Sequence, residues 1–232
     1  MENDIELKAF DKKTITDEVE ASILSAIFKG KIKPGKRLVE LEIANILKVS
    51  RVPVREALQR LQRMGIITQL PRKGWIVSQI TLESAADVFG VRKLLESLAA
   101  RCAAKHINDG DVKYLKGIID DMKEATSVGD FDKTLELENN FHRFLIEKSN
   151  RPFLIKTLEY IRVPIRLYIS IARLMNDRDM ENFAPRHSHI LQAIKTKDPD
   201  KIEKAVSYHI SLGEETILKK LKDYLKNEEK SL

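Results

Sequence analysis

Four side chains in the second half of the chain have the chemistry to hold a metal ion: Glu138, His142, His187 and His209. Glu138 and His142 are four residues apart, so on a helix both project from one face, one turn apart. His187 and His209 fall in two later helical stretches. Facing inward in a bundle, the four could close around one ion, as helical bundles build metal sites from facing helices. Three imidazoles and one carboxylate suit a divalent metal such as Zn²⁺, Ni²⁺ or Mn²⁺, and affinity alone does not choose among them. Open coordination positions could then take the carboxylate of a small organic acid. His189 cannot share the direction of His187, because two residues on a helix point about 200° apart. It reads as structural or adjacent to an effector, and His106 as a surface residue.

A second group of residues has a different chemistry. Ser50, Arg51, Val52 and Arg55 open a helical stretch whose first turn holds Pro53. Arg51 and Arg55 are i and i+4 and share a face, away from the apolar stripe of Val54, Ala57, Leu58 and Leu61. Recognition helices present such N-terminal residues to base edges in the major groove. An arginine there can pair bidentately with guanine, worth about 1–3 kcal/mol of discrimination. Lys36 and Arg37 would lie near the flanking backbone. Arg72, Lys73 and Gly74 would form the tip of a wing, where glycine lets the backbone approach a sugar-phosphate edge.

The elements that must place these residues can be read along the chain. Residues 1–13 lack an apolar period and read as a loose arm. Ile15, Val19, Ile23, Ile27 and Phe28 form a helical stripe with Thr14 or Thr16 as the cap. Gly30 ends that helix, and Pro34-Gly35 marks a turn. A short helix over 40–47 should bury Leu41, Ala44 and Leu47, and Ser50 is placed to cap a third helix from Arg51 to about Met64. Gly65 closes it. Residues 66–70 and 75–77, joined by the turn Pro71 to Gly74, read as a β-hairpin wing. Beyond Thr81 the chain is helical almost throughout, with six helices expected over 82–107, 109–128, 130–149, 152–176, 180–197 and 199–228. Pro164 falls inside the fourth and should kink it. The fold class is therefore mostly α: a winged helix-turn-helix domain over 14–80, then an antiparallel all-helical bundle over 81–232.

Charge follows the same division. The chain of 232 residues carries a net charge of +6, yet residues 29–77 alone hold twelve Lys and Arg against three acids. That concentration is the electrostatic footprint of a polyanion. All five histidines lie beyond residue 80. The single cysteine, Cys102, excludes an intramolecular disulfide and is expected in the core. No stretch approaches the roughly 18 apolar residues that span a bilayer. The first six residues are acidic and polar, unlike a secretory signal, so the expected compartment is the cytoplasm.

The string Lys33 to Leu38, then Ile43-Ala44, then Val49-Ser50-Arg51-Val52-Pro53-Val54-Arg55-Glu56-Ala57-Leu58 through Leu61, resembles the GntR family of bacterial transcription regulators. Gly65-Ile66-Ile67 and Gly74-Trp75-Ile76-Val77 carry the resemblance into the wing. It implies that Ser50, Arg51, Arg55 and Gly74 contact DNA, with Val52 where such proteins often carry threonine. The second half resembles the helical ligand domain (FCD domain) of the FadR branch, through Val91 to Glu96, Glu138 to His142, Asn150 to Leu154, His187 to Ile194 and His209-Ile210. Six helices rather than seven look more like its VanR-type subgroup. Resembling regulators use a metal to hold their effector, which makes Arg92 the candidate for a second anchor. The family's usual aspartate is Glu138 here. Asn139 is a possible effector contact. Arg162 and Arg166, flanking Pro164, could line an anionic effector pocket or pair with neighbouring acids.

The function expected is a ligand-responsive, DNA-binding regulator, with repression as the commoner mode. Its partners would be a second copy of the chain, a near-palindromic double-stranded operator read in two major grooves about 34 Å apart, and a small carboxylate. The alternative keeps the DNA-binding domain but gives it a metal-independent apolar or acyl effector. A metal-dependent enzyme is the remote third reading, since no paired base and nucleophile is evident.

Overall fold

A computed structural model describes residues 13–71, 74–175 and 183–229. The chain divides into two compact units between Ser78 and Gln79. In the first, α1 (Ile15–Phe28) is followed by β1 (Arg37–Leu38), α2 (Glu40–Leu47), α3 (Arg51–Arg63), β2 (Ile67–Leu70) and β3 (Gly74–Val77). The second holds α4 (Leu82–Ala103), α5 (Asp109–Ser127), α6 (Phe131–Lys148), α7 (Pro152–Met175), α8 (Phe183–Lys195) and α9 (Pro199–Glu229). The architecture is mostly helical, with one small sheet.

Thr14 caps α1: its hydroxyl accepts from the Asp17 amide, and the Asp17 carboxylate accepts from the Thr14 amide. Thr16, the other cap candidate, is buried instead and donates to Glu56, tying α1 to α3. The stripe continues through Val19, Ile23 and Ile27 onto Val54, Ala57, Leu58 and Leu61, while Ile15 stays exposed. The short helix α2 departs from expectation. Leu41 is 54% exposed, and Ala44 is its one fully buried residue. The inward face runs through Glu40, Ile43, Ala44 and Leu47, and Leu41 sits about 100° around from Glu40. Lys48 ends α2 with φ +55, so the turn into α3 is made with a left-handed lysine. Ser50 occupies the N-cap position of α3, but its hydroxyl makes no capping hydrogen bond.

The wing is a three-stranded antiparallel sheet of order β1-β3-β2, with Leu38 opposite Trp75 on one side and Gln69 opposite it on the other. The two-residue strand β1 was not expected; it is too short to show an alternating pattern. Gly74 has φ +76, a backbone that L side chains rarely adopt.

In the second unit, α4 is the hub, packing on α6, α7 and α9, while α5 lies against α6 and α8. Ala85, Ala99, Ala100 and Ala103 are fully buried, so small side chains bring backbones close along α4. Thr81, Asn108 and Asp130 cap α4, α5 and α6. The left-handed turns at Gly129, Asn150 and Lys197 fall at or next to the ends of the helices expected to stop at 128, 149 and 197. Helix α4 stops at Ala103 rather than residue 107, because the chain turns there to reach the Asn108 cap. Cys102 is half-buried rather than in the core. Helix α7 runs through Pro164, whose ring removes one intrahelical donor. Among the described residues, no helix is long and apolar enough to cross a membrane.

Candidate functional site

Three helices bring the predicted ligand set together. Glu138 and His142 project from α6, His187 from α8 and His209 from α9, and all four are buried. One ligand atom from each lies within 4.8 Å of the others. His142 Nε2 is 3.1 Å from His209 Nε2 and 3.3 Å from His187 Nε2. Glu138 Oε1 lies 3.5 Å from His142 Nε2 and 3.4 Å from Arg92 Nη2. The longer side chain at position 138 thus reaches the cluster. It does so while also accepting from Arg92, a division of one carboxylate that sequence reading did not foresee.

The far nitrogens of the imidazoles decide what the near ones offer. His187 Nδ1 is 2.7 Å from the carbonyl oxygen of Phe183, so that nitrogen carries the proton. His142 Nδ1 is 2.8 Å from Glu96 Oε2, within ion-pair distance though not aligned as a hydrogen bond, and a proton on that nitrogen faces the carboxylate. Both Nε2 atoms then present lone pairs to each other across 3.3 Å. A single proton on His209 Nε2 relieves its contact with His142 but not that between His142 and His187. His209 Nδ1 is buried and has no hydrogen-bond partner among the described residues. Burial, with His142 next, pushes the His187 imidazole down to about 3. Burial, with His187 and then His142, holds His209 well below the usual histidine range. The site therefore converges three imidazole Nε2 atoms beside a carboxylate, with the His187 and His209 rings held neutral by burial. That donor set fits a divalent cation.

Glu96 and the Phe183 carbonyl play the role that outer partners play at metal sites: they fix tautomer and ring orientation. Sequence reading missed both. Glu96 was findable, since it lies four residues from Arg92 and so shares its face of α4. Burial tends to raise the Glu96 carboxyl, but Arg92 first and His142 next hold it at about 2. Arg92 donates to Glu96 at 2.8 Å.

A cavity opens beside the cluster. Arg92, Glu96, Asn139 and His142 line its inner end, and Ile146, Ile155, Leu158 and Ile165 its walls. Arg143 and Arg162 add two cationic groups, matched by the carboxylates of Glu147 and Glu159, with Glu147 3.6 Å from Arg143. Arg166 is exposed and is not among the lining residues; one helical turn earlier, Arg162 takes the place expected for it. The Asn139 amide nitrogen donates to the Leu135 carbonyl. His189 is exposed with its ring 6.2 Å from that of Tyr208, and His106 is also exposed.

In the first unit, Ser50, Arg51, Val52 and Arg55 all lie exposed at the start of α3, and Arg37 is exposed on β1. Arg51 and Arg55 both reach back to Glu40. Gly74 opens β3. Arg72 and Lys73 lie outside the described residues.

Comparison with known proteins matches residues 15–77 to the gntR family of bacterial regulatory proteins and residues 87–212 to the FCD domain. The chain is a GntR-family regulator with an FCD domain. This places it in the FadR-like branch. An Nta operon transcriptional regulator from Aminobacter aminovorans is 30% identical over 186 residues, covering 80% of this chain and 86% of that protein. A probable D-xylose utilization operon transcriptional repressor from Paenarthrobacter nicotinovorans is 25% identical over 204 residues, 88% of this chain and 89% of its own. Among solved structures, E. coli McbR/YncC superposes with a TM-score of 0.77 at 21% identity, over 90% of this chain and all of that one. This GntR-family chain is accordingly a transcriptional regulator with a DNA-binding winged helix-turn-helix.

Proposed function

We propose that this regulator senses a small organic acid through a divalent metal ion held by Glu138, His142, His187 and His209, and that it acts from the cytoplasm as a homodimeric repressor. The observation that carries the reading is the convergence of three buried imidazole nitrogens, with the far nitrogen of His187 on the Phe183 carbonyl and that of His142 2.8 Å from Glu96. When bound, the ion would supply positive charge and coordination positions for a carboxylate. This chain's own residues do the rest. Arg92 and Asn139 line the cavity beside the cluster and would orient the effector's remaining oxygens.

On the DNA side, Ser50, Arg51, Val52 and Arg55 are the groups proposed to enter the major groove, with Arg37, Arg72, Lys73 and Gly74 on the flanking backbone. Val52 is 65% exposed and offers an apolar contact to a thymine methyl where a hydroxyl would otherwise stand. Effector binding shifts the DNA-binding state only if the acid binds the two states unequally.

Titration calorimetry of mono-, di- and tricarboxylic acids tests the reading, on metal-loaded and chelator-treated protein. Binding of one acid class to the loaded form alone is the expected result. The isoleucine-rich walls of the cavity favour one second reading, an effector with an apolar body that needs no metal. It predicts binding that survives both chelation and His142→Ala.

A further inference from the structure

We infer that Glu40, the first residue of α2, is a positioning residue of the DNA-reading surface: its carboxylate fixes the Arg55 guanidinium in an orientation that leaves one edge free for a base. The inference rests on the proposed reading of α3 as the recognition helix.

Glu40 is a carboxylate set in the most basic stretch of the chain, where it weakens the attraction to phosphates that the stretch otherwise provides. Its side chain is only 15% exposed, and among the described residues its hydrogen-bond partners are Arg55, Arg51 and Trp75. Arg55 Nε donates to Oε1 at 3.1 Å and Arg55 Nη2 to Oε2 at 2.9 Å. Arg51 Nη2 donates to Oε2 at 3.2 Å. From the wing, Trp75 Nε1 donates to Oε1 at 3.2 Å. Hydrogen bonds from Arg55 first, then from Trp75 and Arg51, outweigh the effect of burial and hold the carboxyl at about 2.

The geometry of the fork gives this a consequence. A guanidinium has five N–H donors in one plane. Side-on pairing through Nε and Nη2 consumes one edge of Arg55. Both hydrogens of Nη1 and one of Nη2 remain, and these form the end-on edge that pairs with O6 and N7 of guanine. A long side chain that would otherwise sample many rotamers is held with its reading edge outward before DNA arrives, which reduces the ordering cost of binding. Trp75 is nearly buried in the wing, so its indole in turn fixes Glu40. Helix α2, helix α3 and strand β3 meet at this one carboxylate.

The test uses the full chain and duplexes that the unmutated protein selects from a random pool. Guanine preference at the selected positions and affinity for unselected duplex are measured for Glu40→Gln and Arg55→Ala. Glu40→Gln keeps the size of the side chain but loses the two-oxygen clasp. The expected result is about a tenfold loss of guanine preference, with affinity for unselected duplex held or raised. A purely structural role would instead lower both affinities together. Guanine preference unchanged in Glu40→Gln but lost in Arg55→Ala overturns the role of Glu40 alone. Preference unchanged in Arg55→Ala overturns the recognition-helix reading beneath it. A further measurement needs no altered Glu40: in the ¹⁵N-labelled unmutated chain, the Arg55 Nε–H, assigned by its loss in Arg55→Lys, should be protected from solvent exchange. Exchange as fast as that of an exposed arginine would contradict the clasp.

Discussion

At the residue scale, each histidine of the cluster has its own function, set by what its second nitrogen meets. His142 leans on Glu96 and His187 on the Phe183 carbonyl, whereas His209 Nδ1 has no partner among the described residues. Removing a conserved type of outer partner at such sites weakens metal binding about 10–100-fold. Glu96→Gln should therefore lower metal affinity within that range, read by competition against a chelator of known affinity, while leaving the ligand set intact. Glu138→Gln should cost less than any one histidine, because Arg92 already shares that carboxylate. The ligand types were legible in the sequence because their spacing puts one pair on one turn and two more on later helices. The role of Glu40 was not, because it acts on residues distant in sequence and on other elements, in no pattern that periodicity reveals. For Glu96 the spacing from Arg92 was legible, but its contact with His142 on α6 was not.

At the element scale, caps and breaks carried most of the sequence signal. Thr14 caps α1 as expected, and α7 and α9 start at Pro152 and Pro199, where the expected ranges put them. What periodicity could not supply was which flank of a short helix is buried. In α2 only about 60° separates buried Ala44 from its exposed neighbour Leu41 at i−3 in the expected stripe. Nor could it find β1, whose two residues gain their place only by pairing with β3. The junction of α2, α3 and β3 at Glu40 has a consequence for acid stability. Its carboxyl lies at about 2 in the folded chain against an ordinary 4.5. The unfolded chain therefore takes up this proton first as pH falls. Stability from Glu40 is fully present above about pH 4.5 and is lost toward pH 2. Trp75 is the only tryptophan, so its fluorescence reports on this junction. Glu40→Gln should flatten the part of its acid unfolding curve that falls in that window. Deeper in the same unit, Leu61 is fully buried between α1 and α3. Leu61→Ala should cost about 2–5 kcal/mol, seen as a lower denaturant midpoint.

At the scale of the whole molecule, the division of labour is chemical. The cations gather in residues 29–77 and the histidines beyond residue 80, and the two compact units follow that division. The gntR and FCD matches fall on either side of the same boundary. DNA affinity should accordingly fall steeply with salt, with a log–log slope of about −0.9 for each phosphate neutralised. That slope should be unchanged in a His142, His187, His209 triple alanine variant that still folds. Response to a carboxylate should be lost in the same variant. The most direct measurement on the metal itself is metal content per chain by mass spectrometry, on tag-free protein never exposed to added metal or chelator. The prediction is close to one equivalent of a divalent ion, absent from the triple variant. No metal in the unmutated chain, even after reconstitution with Zn²⁺, Ni²⁺ and Mn²⁺, would contradict the metal centre and leave the DNA-binding half of the chain untouched.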